Sequence, residues 1–124
     1  MTTKSIGDMG ERAVSRYLAL RLYEIVARNY RSDHGEIDII ALRGNTLCFV
    51  EVKTRDPKHT ESFGSAASAV TPTKQKHIIY TAKRIINENP ALCRDKDFRF
   101  DVAEVYVEKT RKRISYLKDA FKVR

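Results

Sequence analysis

Residues 35–53 read GEIDIIALRGNTLCFVEVK, and this segment predicts two neighbouring β-strands. Apolar and β-branched residues fill 36–42 and 46–52, as is typical of strands. Between these runs, Arg43-Gly44-Asn45 provides the Gly and Asn that favour a tight hairpin. We therefore predict strands at Glu36 to Leu42 and at Thr46 to Val52, paired antiparallel.

The flanking sequence adds two helices and three further strands. Apolar residues recur at helical spacing in the first helix, and Thr71-Pro72 supplies a cap and a favourable first residue for the second. The predicted elements are a helix from Ser5 to Leu22, a strand from Tyr23 to Tyr30, a helix from Thr71 to about Asn87, and strands at Phe98 to Val107 and Arg113 to Leu117. This order predicts an α/β fold with a mixed central sheet of about five strands flanked by helices.

The length of 124 residues fits one domain spanning residues 1–124. The polar segment from Thr54 to Thr71 is long for a domain of this size, so we expect it to be functional or mobile. Cys48 and Cys93 lie far apart without a metal-ligand motif, which argues against a disulfide scaffold and a zinc site. No segment has the apolar length of a signal peptide or a membrane span. We expect a cytoplasmic protein that does not contact membranes.

The chain carries 24 Lys and Arg against 16 Asp and Glu, a formal charge of +8. Such a charge attracts polyanions, of which nucleic acid is the most common inside cells. Net charge that only maintains solubility explains the composition equally well. The charge therefore supports a nucleic-acid partner without establishing one.

Acidic and basic residues interrupt both hairpin strands. If side chains alternate strictly, residues 37, 39 and 41 face one side of the sheet, and Glu36 and Asp38 face the other. On the second strand, Glu51 and Lys53 share one face, opposite residues 48, 50 and 52. The hairpin then brings Asp38 near Glu51 and Lys53.

Burying a carboxylate without a partner costs several kcal/mol, so converging acids usually bind a cation. Oxygen ligands of this kind suit Mg²⁺ or Mn²⁺, which could polarise a phosphate and activate a water molecule. The alternative is an ordinary ion pair between Lys53 and one of the two acids, Asp38 or Glu51. The matching spacing on both strands favours a site.

The same residues carry a family resemblance. Asp38 with Glu51-Val52-Lys53 resembles the PD-(D/E)xK nuclease signature, with Ile37 in place of the usual proline. More closely, the chain resembles the YraN-like family of small bacterial proteins, which is similar to archaeal Holliday-junction resolvases. The matching elements span nearly the whole chain: Gly10-Glu11-Arg12-Ala13 with Tyr17-Leu18, Asn29-Tyr30-Arg31, Gly35-Glu36-Ile37-Asp38, Phe49-Val50-Glu51-Val52-Lys53-Thr54-Arg55, Lys74 to Ile78, Ala82, and Arg99-Phe100-Asp101-Val102.

The resemblance implies a restriction-endonuclease-like core and a divalent metal. Asp38 and Glu51 would be metal ligands, Lys53 the catalytic lysine, and Glu11 an additional acid beside the metal. Without the resemblance, Glu11 reads as a solvated helix charge or a partner of Arg12 or Arg31.

Residues around this centre have open assignments. Glu36 lies on the same predicted strand face as Asp38, so it could join the site. It could instead fix Arg55 or the backbone where the strand begins. Arg55 is a candidate phosphate clamp. The resemblance places Gln75 beside the site. Lys74 and Lys76 would then touch the phosphate backbone, although a solvated helix face explains these lysines equally well.

Three further residues are assigned lesser roles. His34 and His77 read as surface groups or as groups behind the metal ligands. Asp101 matches the family but belongs to a different strand, so we predict a structural role for it.

Three functions are compatible with these observations. The first is a metal-dependent nuclease acting on DNA that is branched or otherwise structured. The second is a nucleic-acid-binding module with the same fold and little or no activity. The third, a basic face that docks an acidic protein, explains the charge and leaves the hairpin acids unexplained. A homodimer that joins two sites stays open.

Overall fold

The computed structural model describes residues 3–33, 35–55, 70–109 and 111–123. Most of the predicted loop from Thr54 to Thr71 lies outside the described residues, and so does His34. None of the helices formed by the described residues is long and apolar enough to cross a membrane.

The described residues form three helices and five strands in an α/β arrangement. One mixed sheet has the order β1-β2-β3-β4-β5, in which only the β3–β4 pair is parallel. The elements are α1 (Thr3–Leu20), β1 (Glu24–Ser32), β2 (Gly35–Arg43), β3 (Thr46–Arg55), α2 (Pro72–Glu88), α3 (Pro90–Cys93), β4 (Asp97–Val107) and β5 (Lys112–Phe121). This confirms the predicted fold class and is the arrangement expected of a restriction-endonuclease-like core.

The sheet separates two apolar clusters, one under each long helix. On one face, Val14 and Leu18 of α1 pack with Ala41, Cys48 and neighbouring strand residues. The opposite face is covered by α2, whose buried residues join a cluster of strand side chains: Ile78, Ala82 and Ile85 with Ile37, Ile40, Leu47, Phe49, Phe100, Val102 and Phe121. Each fully buried Leu, Ile, Val or Phe contributes roughly 1.5–3 kcal/mol relative to exposure. Both layers are therefore needed to fix α1 and α2 against the sheet.

Local sequence explains where two of these elements begin or turn. Gly44 adopts a positive φ of 58°, which a glycine accepts without strain, and so closes the β2–β3 hairpin. The Thr71 side chain accepts a 3.2 Å hydrogen bond from the Lys74 backbone N–H, and Pro72 follows as the first helical residue. Both features confirm the sequence prediction.

The last strand is longer than predicted because it continues through a bulge. Val102 pairs with Leu117 and Phe100 with Phe121, so the β4–β5 register shifts between them. Asp119 lies in the bulge at a φ of 54°, and its N–H donates a 2.9 Å hydrogen bond to the buried Asp101 carboxylate. The polar sequence after Leu117 hid this continuation.

Gly10 allows α1 to lie directly against the end of β3. A Cβ atom at this position would be 1.9 Å from Thr54 Oγ1 and 3.2 Å from Thr54 Cβ. Gly7, one turn earlier on the same helix, has no atom within 4 Å of an added Cβ. Position 10 therefore requires a glycine, whereas position 7 has room for a larger side chain.

Gly10→Ala is expected to lower the free energy of unfolding by about 1–3 kcal/mol, because the methyl group must displace the Thr54 side chain or push α1 away from β3. Gly7→Ala should raise it by up to about 1 kcal/mol, since alanine favours the helix. Urea denaturation of both variants tests this contrast. Thr54→Ala should restore part of the Gly10→Ala loss, and equal effects of the two glycine substitutions would contradict the close approach.

Candidate metal centre

The pairing between β2 and β3 ends where the candidate site begins. Ile39 and Val50 form the last pair of the ladder on this side. Beyond it, Asp38 Oδ2 accepts a 2.8 Å hydrogen bond from the Val52 backbone N–H. The Asp38 carboxylate thus takes the place of a backbone partner, and the two strands separate around it.

The predicted strict alternation along β2 is wrong at this point. Ile37 packs with Ile40 in the cluster under α2, whereas Ile39 and Ala41 pack in the cluster under α1. Two residues therefore separate Ile37 and Ile40 on the same face, and the alternation is interrupted at Asp38 and Ile39. The alternation predicted for β3 is confirmed, because residues 48, 50 and 52 all belong to the α1 side.

A cavity of about 280 Å³ opens at this end of the sheet, between the two long helices. Four elements contribute to its wall: Ile6, Gly7 and Glu11 from α1, Glu36 and Asp38 from β2, Glu51, Val52, Lys53 and Thr54 from β3, and Lys74 from α2. We call this cavity the carboxylate pocket. It brings together Glu11, Asp38, Glu51 and Lys53, the four residues that the sequence predicted as a centre.

Two carboxylates of the pocket are buried side by side. Asp38 is 8% exposed and Glu51 is 6% exposed. Burial, the nearby Asp38 charge and a hydrogen bond with Asp38 raise the pKa of Glu51 to about 8, while Lys74 and Lys53 oppose this rise. Lys74 Nζ lies 4.0 Å from Glu51 Oε1. Without a cation, the pocket therefore favours a proton on Glu51 near neutral pH.

Glu11 adds a third acid from α1. Partial burial first, and the charge of Asp38 second, raise its pKa to about 7, with Arg28 acting in the opposite direction. Its Oε1 is buried and has no hydrogen-bond partner among the described residues. Among the described residues, neither Arg12 nor Arg31 forms an ion pair with Glu11. Of the two alternatives, the ion pair with Arg12 or Arg31 is not formed among the described residues, and Glu11 is half-buried rather than a fully solvated charge.

These features fit a divalent cation. Four carboxyl groups line one small pocket, two of them have raised pKa values, and one oxygen is buried without a partner among the described residues. A bound cation would favour the charged carboxylates and satisfy that oxygen. Across the described ranges, no three His, Cys, Asp or Glu side chains already lie in a complete ligand arrangement. Asp38 and Glu51 are thus the principal ligand candidates, and Glu11 would have to turn toward them.

The residues assigned around the centre are distributed differently from expectation. Glu36 lines the carboxylate pocket, and its carboxylate lies 3.6 Å from Arg31 rather than against Arg55. Lys74 lines the pocket as well, which places a second ammonium group beside Lys53. The sequence predicted a contact with the phosphate backbone or a solvated helix face for Lys74, and did not predict its place in the pocket.

Gln75 and Lys76 do not line the carboxylate pocket. The Gln75 amide donates a 3.0 Å hydrogen bond to the Val70 carbonyl oxygen and so holds the segment that leads into α2. Both residues, together with Pro72, line a separate groove on the outer side of the helix. Their predicted contact with nucleic acid stays a prediction. His77 is exposed and lies in another depression, next to Lys74.

Arg55 is anchored by an acid that the sequence analysis missed. Its Nε donates a 3.1 Å hydrogen bond to Glu104 Oε2, and Glu104 is buried on β4, paired with Lys53 in the parallel ladder. Arg55 does not line the carboxylate pocket, so its role as a phosphate clamp stays a prediction. Glu104 interrupts the otherwise apolar run Val102 to Val105, and this position in the sequence could have indicated a buried acid.

Asp101 is fully buried and has a structural role, as predicted. It accepts hydrogen bonds from the Arg99 guanidinium, from the Tyr116 hydroxyl and from the Asp119 backbone N–H. The Arg99 guanidinium also donates to the Tyr23 hydroxyl. This network ties β4 to β5 and to the segment between α1 and β1, away from the carboxylate pocket.

Without metal, the free energy of unfolding should fall as pH rises from about 5 to about 8. The pKa of Glu51 is about 8 in the folded chain, whereas in the unfolded chain the carboxyl group loses its proton near its ordinary pKa of 4.5. The folded state therefore binds more protons in this window, so raising the pH favours unfolding. Glu11 acts in the same direction.

Thermal melts in a metal chelator at several pH values measure this slope. Glu51→Gln should flatten it, because the amide does not titrate, and Mn²⁺ should restore stability at the alkaline end. Parallel slopes for the original chain and Glu51→Gln would show that Glu51 does not carry a raised pKa.

Comparisons with known proteins identify relatives along most of the chain. The sequence profile described as "Uncharacterised protein family UPF0102" matches residues 10–105. A UPF0102 protein of Alkaliphilus metalliredigens is 42% identical over 119 residues, which cover 96% of this chain and 99% of the relative. UPF0102 proteins of Chloroherpeton thalassium and Chlorobium limicola are 38% and 44% identical, covering 98% and 84% of this chain and 96% and 77% of the respective relatives. The chain therefore belongs to the UPF0102 family, in agreement with the resemblance seen in its motifs.

Proposed function

We propose that this protein is a metal-dependent nuclease that hydrolyses phosphodiester bonds in DNA. The observation that carries the proposal is the carboxylate pocket, in which two buried, adjacent carboxylates, Asp38 and Glu51, face the ammonium groups of Lys53 and Lys74. An acid pair alone would repel phosphate. Acids and amines in one pocket suit a cation together with a phosphate.

The acids would hold Mg²⁺ or Mn²⁺. Asp38 is positioned by its hydrogen bond to the Val52 N–H, and Glu51 by its place on β3, in the middle of the sheet. Glu11 supplies a third carboxylate from α1. When bound, the metal would polarise the scissile phosphate and lower the pKa of a coordinated water. Ligands on strands of a packed sheet keep this geometry more precisely than ligands on loops.

The two lysines would act on the phosphate. Lys53 follows Glu51 by two residues on β3, so both side chains reach the same pocket. Its ammonium group would stabilise the negative charge that builds on the phosphate in the transition state. Lys74, 4.0 Å from Glu51, favours the charged form of that carboxylate and would place a second positive charge near the phosphate.

The net charge of the chain supports a nucleic-acid substrate. The formal charge of +8 favours a polyanionic substrate. We propose DNA that is branched or otherwise structured as the substrate, the cytoplasm as the compartment, and a homodimer as the form that would bring two such pockets to one junction. The substrate and the homodimer rest on the resemblance to resolvases, and the cytoplasm is the compartment expected from the sequence.

The test is a cleavage assay on linear duplex, flapped and four-way DNA, with Mg²⁺, Mn²⁺ or a chelator. We expect products only with metal, and none from an Asp38→Asn chain purified in parallel, which controls for contaminating nuclease. A nucleic-acid-binding module without activity would retard the DNA in a salt-dependent way and give no products with any metal. That second outcome would overturn the proposal.

A further inference from the structure

A basic surface separate from the carboxylate pocket lies along α2. It is a groove of about 450 Å³, a size typical of ligand sites, and its lining residues come from α2 and the segment after β5: Pro72, Gln75, Lys76, Ile79, Tyr80, Lys83 and Lys122. We call it the α2 groove. None of these lining residues is acidic. Its chemistry therefore differs from that of the carboxylate pocket, which is dominated by acids.

The charged and aromatic side chains of the α2 groove follow one helix face. Lys76, Tyr80 and Lys83 are spaced by four and three residues, which places them in one row on a helix. Tyr80 is 47% exposed, and its hydroxyl forms a hydrogen bond with the Arg84 guanidinium. The exposed Tyr80 ring therefore lies on the same helix face as Lys76 and Lys83.

The two lysines of this row are available to a ligand. No acid among the described residues pairs with Lys76 or Lys83, although Lys122 lies 3.4 Å from Asp119. Two lysines without an acidic partner, on the same helix face as an exposed ring, favour an anion that also has an aromatic group. A single strand of nucleic acid meets both conditions, with phosphates for the lysines and an unstacked base for the ring. A continuous duplex offers the phosphates but keeps its bases stacked inside.

We propose that the α2 groove binds an unpaired strand of nucleic acid. Phosphates contact Lys76 and Lys83, and a base stacks on Tyr80. The apolar side of the groove, formed by Ile79 and Pro72, lies against the sugar and base.

The position of the α2 groove links it to the carboxylate pocket. Lys74 lines the pocket, while Gln75 and Lys76, the next two residues, line the groove. A strand leaving the pocket therefore crosses the first turn of α2 and enters the groove. From Lys74 to Lys83 the helix rises about 14 Å, enough for two or three nucleotides. This link rests on the proposed nuclease function, and it directs cutting to DNA with an unpaired strand beside the cut.

The test measures binding without metal, so that no cleavage can occur. A fluorescent oligothymidylate of about 15 nucleotides, comparable to known single-strand site sizes, is titrated at several salt concentrations. Lys76→Ala with Lys83→Ala should weaken binding roughly 10- to 30-fold at about 0.1 M salt and reduce the salt slope by about 1.4, because each phosphate contact contributes about 0.7. Lys112→Ala with Lys118→Ala removes the same charge from exposed positions on β5 and should change binding less than about threefold.

Tyr80 gives an independent measurement of stacking. Tyr80→Leu should weaken oligothymidylate binding roughly 5- to 100-fold, while Tyr80→Phe, which keeps the ring, should bind like the original chain. Equal loss in both variants would instead assign the effect to the hydroxyl and its bond to Arg84. That result would overturn the stacking role, and circular dichroism would confirm that all variants are folded.

The experiments distinguish failure of the nuclease proposal from failure of the α2 groove proposal. If no DNA is cut with any metal, yet the lysine pair and Tyr80→Leu weaken single-strand binding as stated, the nuclease function fails and the α2 groove stands. If DNA is cut but the groove variants bind the oligonucleotide like the β5 control, the groove assignment fails alone. Tighter binding of a blunt duplex than of the oligothymidylate would also overturn it.

Discussion

Asp38→Asn should reduce metal-dependent cleavage at least roughly 1,000-fold and abolish saturable Mn²⁺ binding, because the metal supplies several kcal/mol of transition-state stabilisation. Asparagine keeps an oxygen that can accept the 2.8 Å hydrogen bond from the Val52 N–H, so the separation of β2 and β3 should persist. The substitution thus removes the charge and little else. Isothermal titration with Mn²⁺ and single-turnover cleavage measure the two effects.

Glu51→Gln is the companion variant. It removes the second charge of the buried pair, and it should lose metal binding and cleavage to a similar extent. Because it also removes a group with a pKa near 8, the metal-free variant should be more stable than the original chain at alkaline pH. Glu88→Gln, on the exposed end of α2, is the matched control and should leave binding and cleavage unchanged. Full Mn²⁺ binding by both pocket variants would contradict the assignment of the ligands.

Lys53→Ala should reduce cleavage roughly 100- to 1,000-fold while metal binding persists. A single donor aimed at charge that develops in the transition state typically has an effect of this size. Lys53 lines the same pocket as Asp38 and Glu51, but it has no lone pair to offer a metal while it is protonated. Single-turnover rates and Mn²⁺ titration of the same preparation separate catalysis from binding.

Lys74→Ala provides the contrast, because Lys74 also lies in the pocket. Its nearest described acid is Glu51, at 4.0 Å, and its charge lowers the pKa of that carboxylate. Its loss should therefore raise the pKa of Glu51, shift metal binding to higher pH and spare the rate at saturating metal. If Lys74→Ala lost the catalytic rate and Lys53→Ala kept it, the roles of the two lysines would have to be exchanged.

The sequence predicted the fold class because its local signals agree with the observed packing. The hairpin at Gly44, the cap at Thr71 and the apolar stripes of both long helices all confirm the expected elements. Convergence of Asp38 with Glu51 and Lys53 was also expected. The expected basis for this convergence, strict alternation of side chains along β2, does not hold at Asp38. There the side chain replaces a backbone partner in the ladder.

Other features depend on contacts between distant residues and had no local signal. The need for glycine at position 10 comes from Thr54, which lies across the helix–strand contact. Arg55 is turned toward Glu104 by the parallel pairing of β3 and β4, a pairing that periodicity alone does not specify. Lys74 enters the pocket because α2 begins beside it. Tertiary packing, rather than propensity, therefore decided these positions.

Anomalous diffraction from crystals soaked in Mn²⁺ tests the central claim most directly. We expect an anomalous peak between the carboxylates of Asp38 and Glu51, with Glu11 turned toward it and no peak in crystals of Asp38→Asn. The pocket would then be a metal centre formed by strands that separate at one buried aspartate. Crystals of the original chain with Mn²⁺ at other positions and none in this pocket would contradict the account.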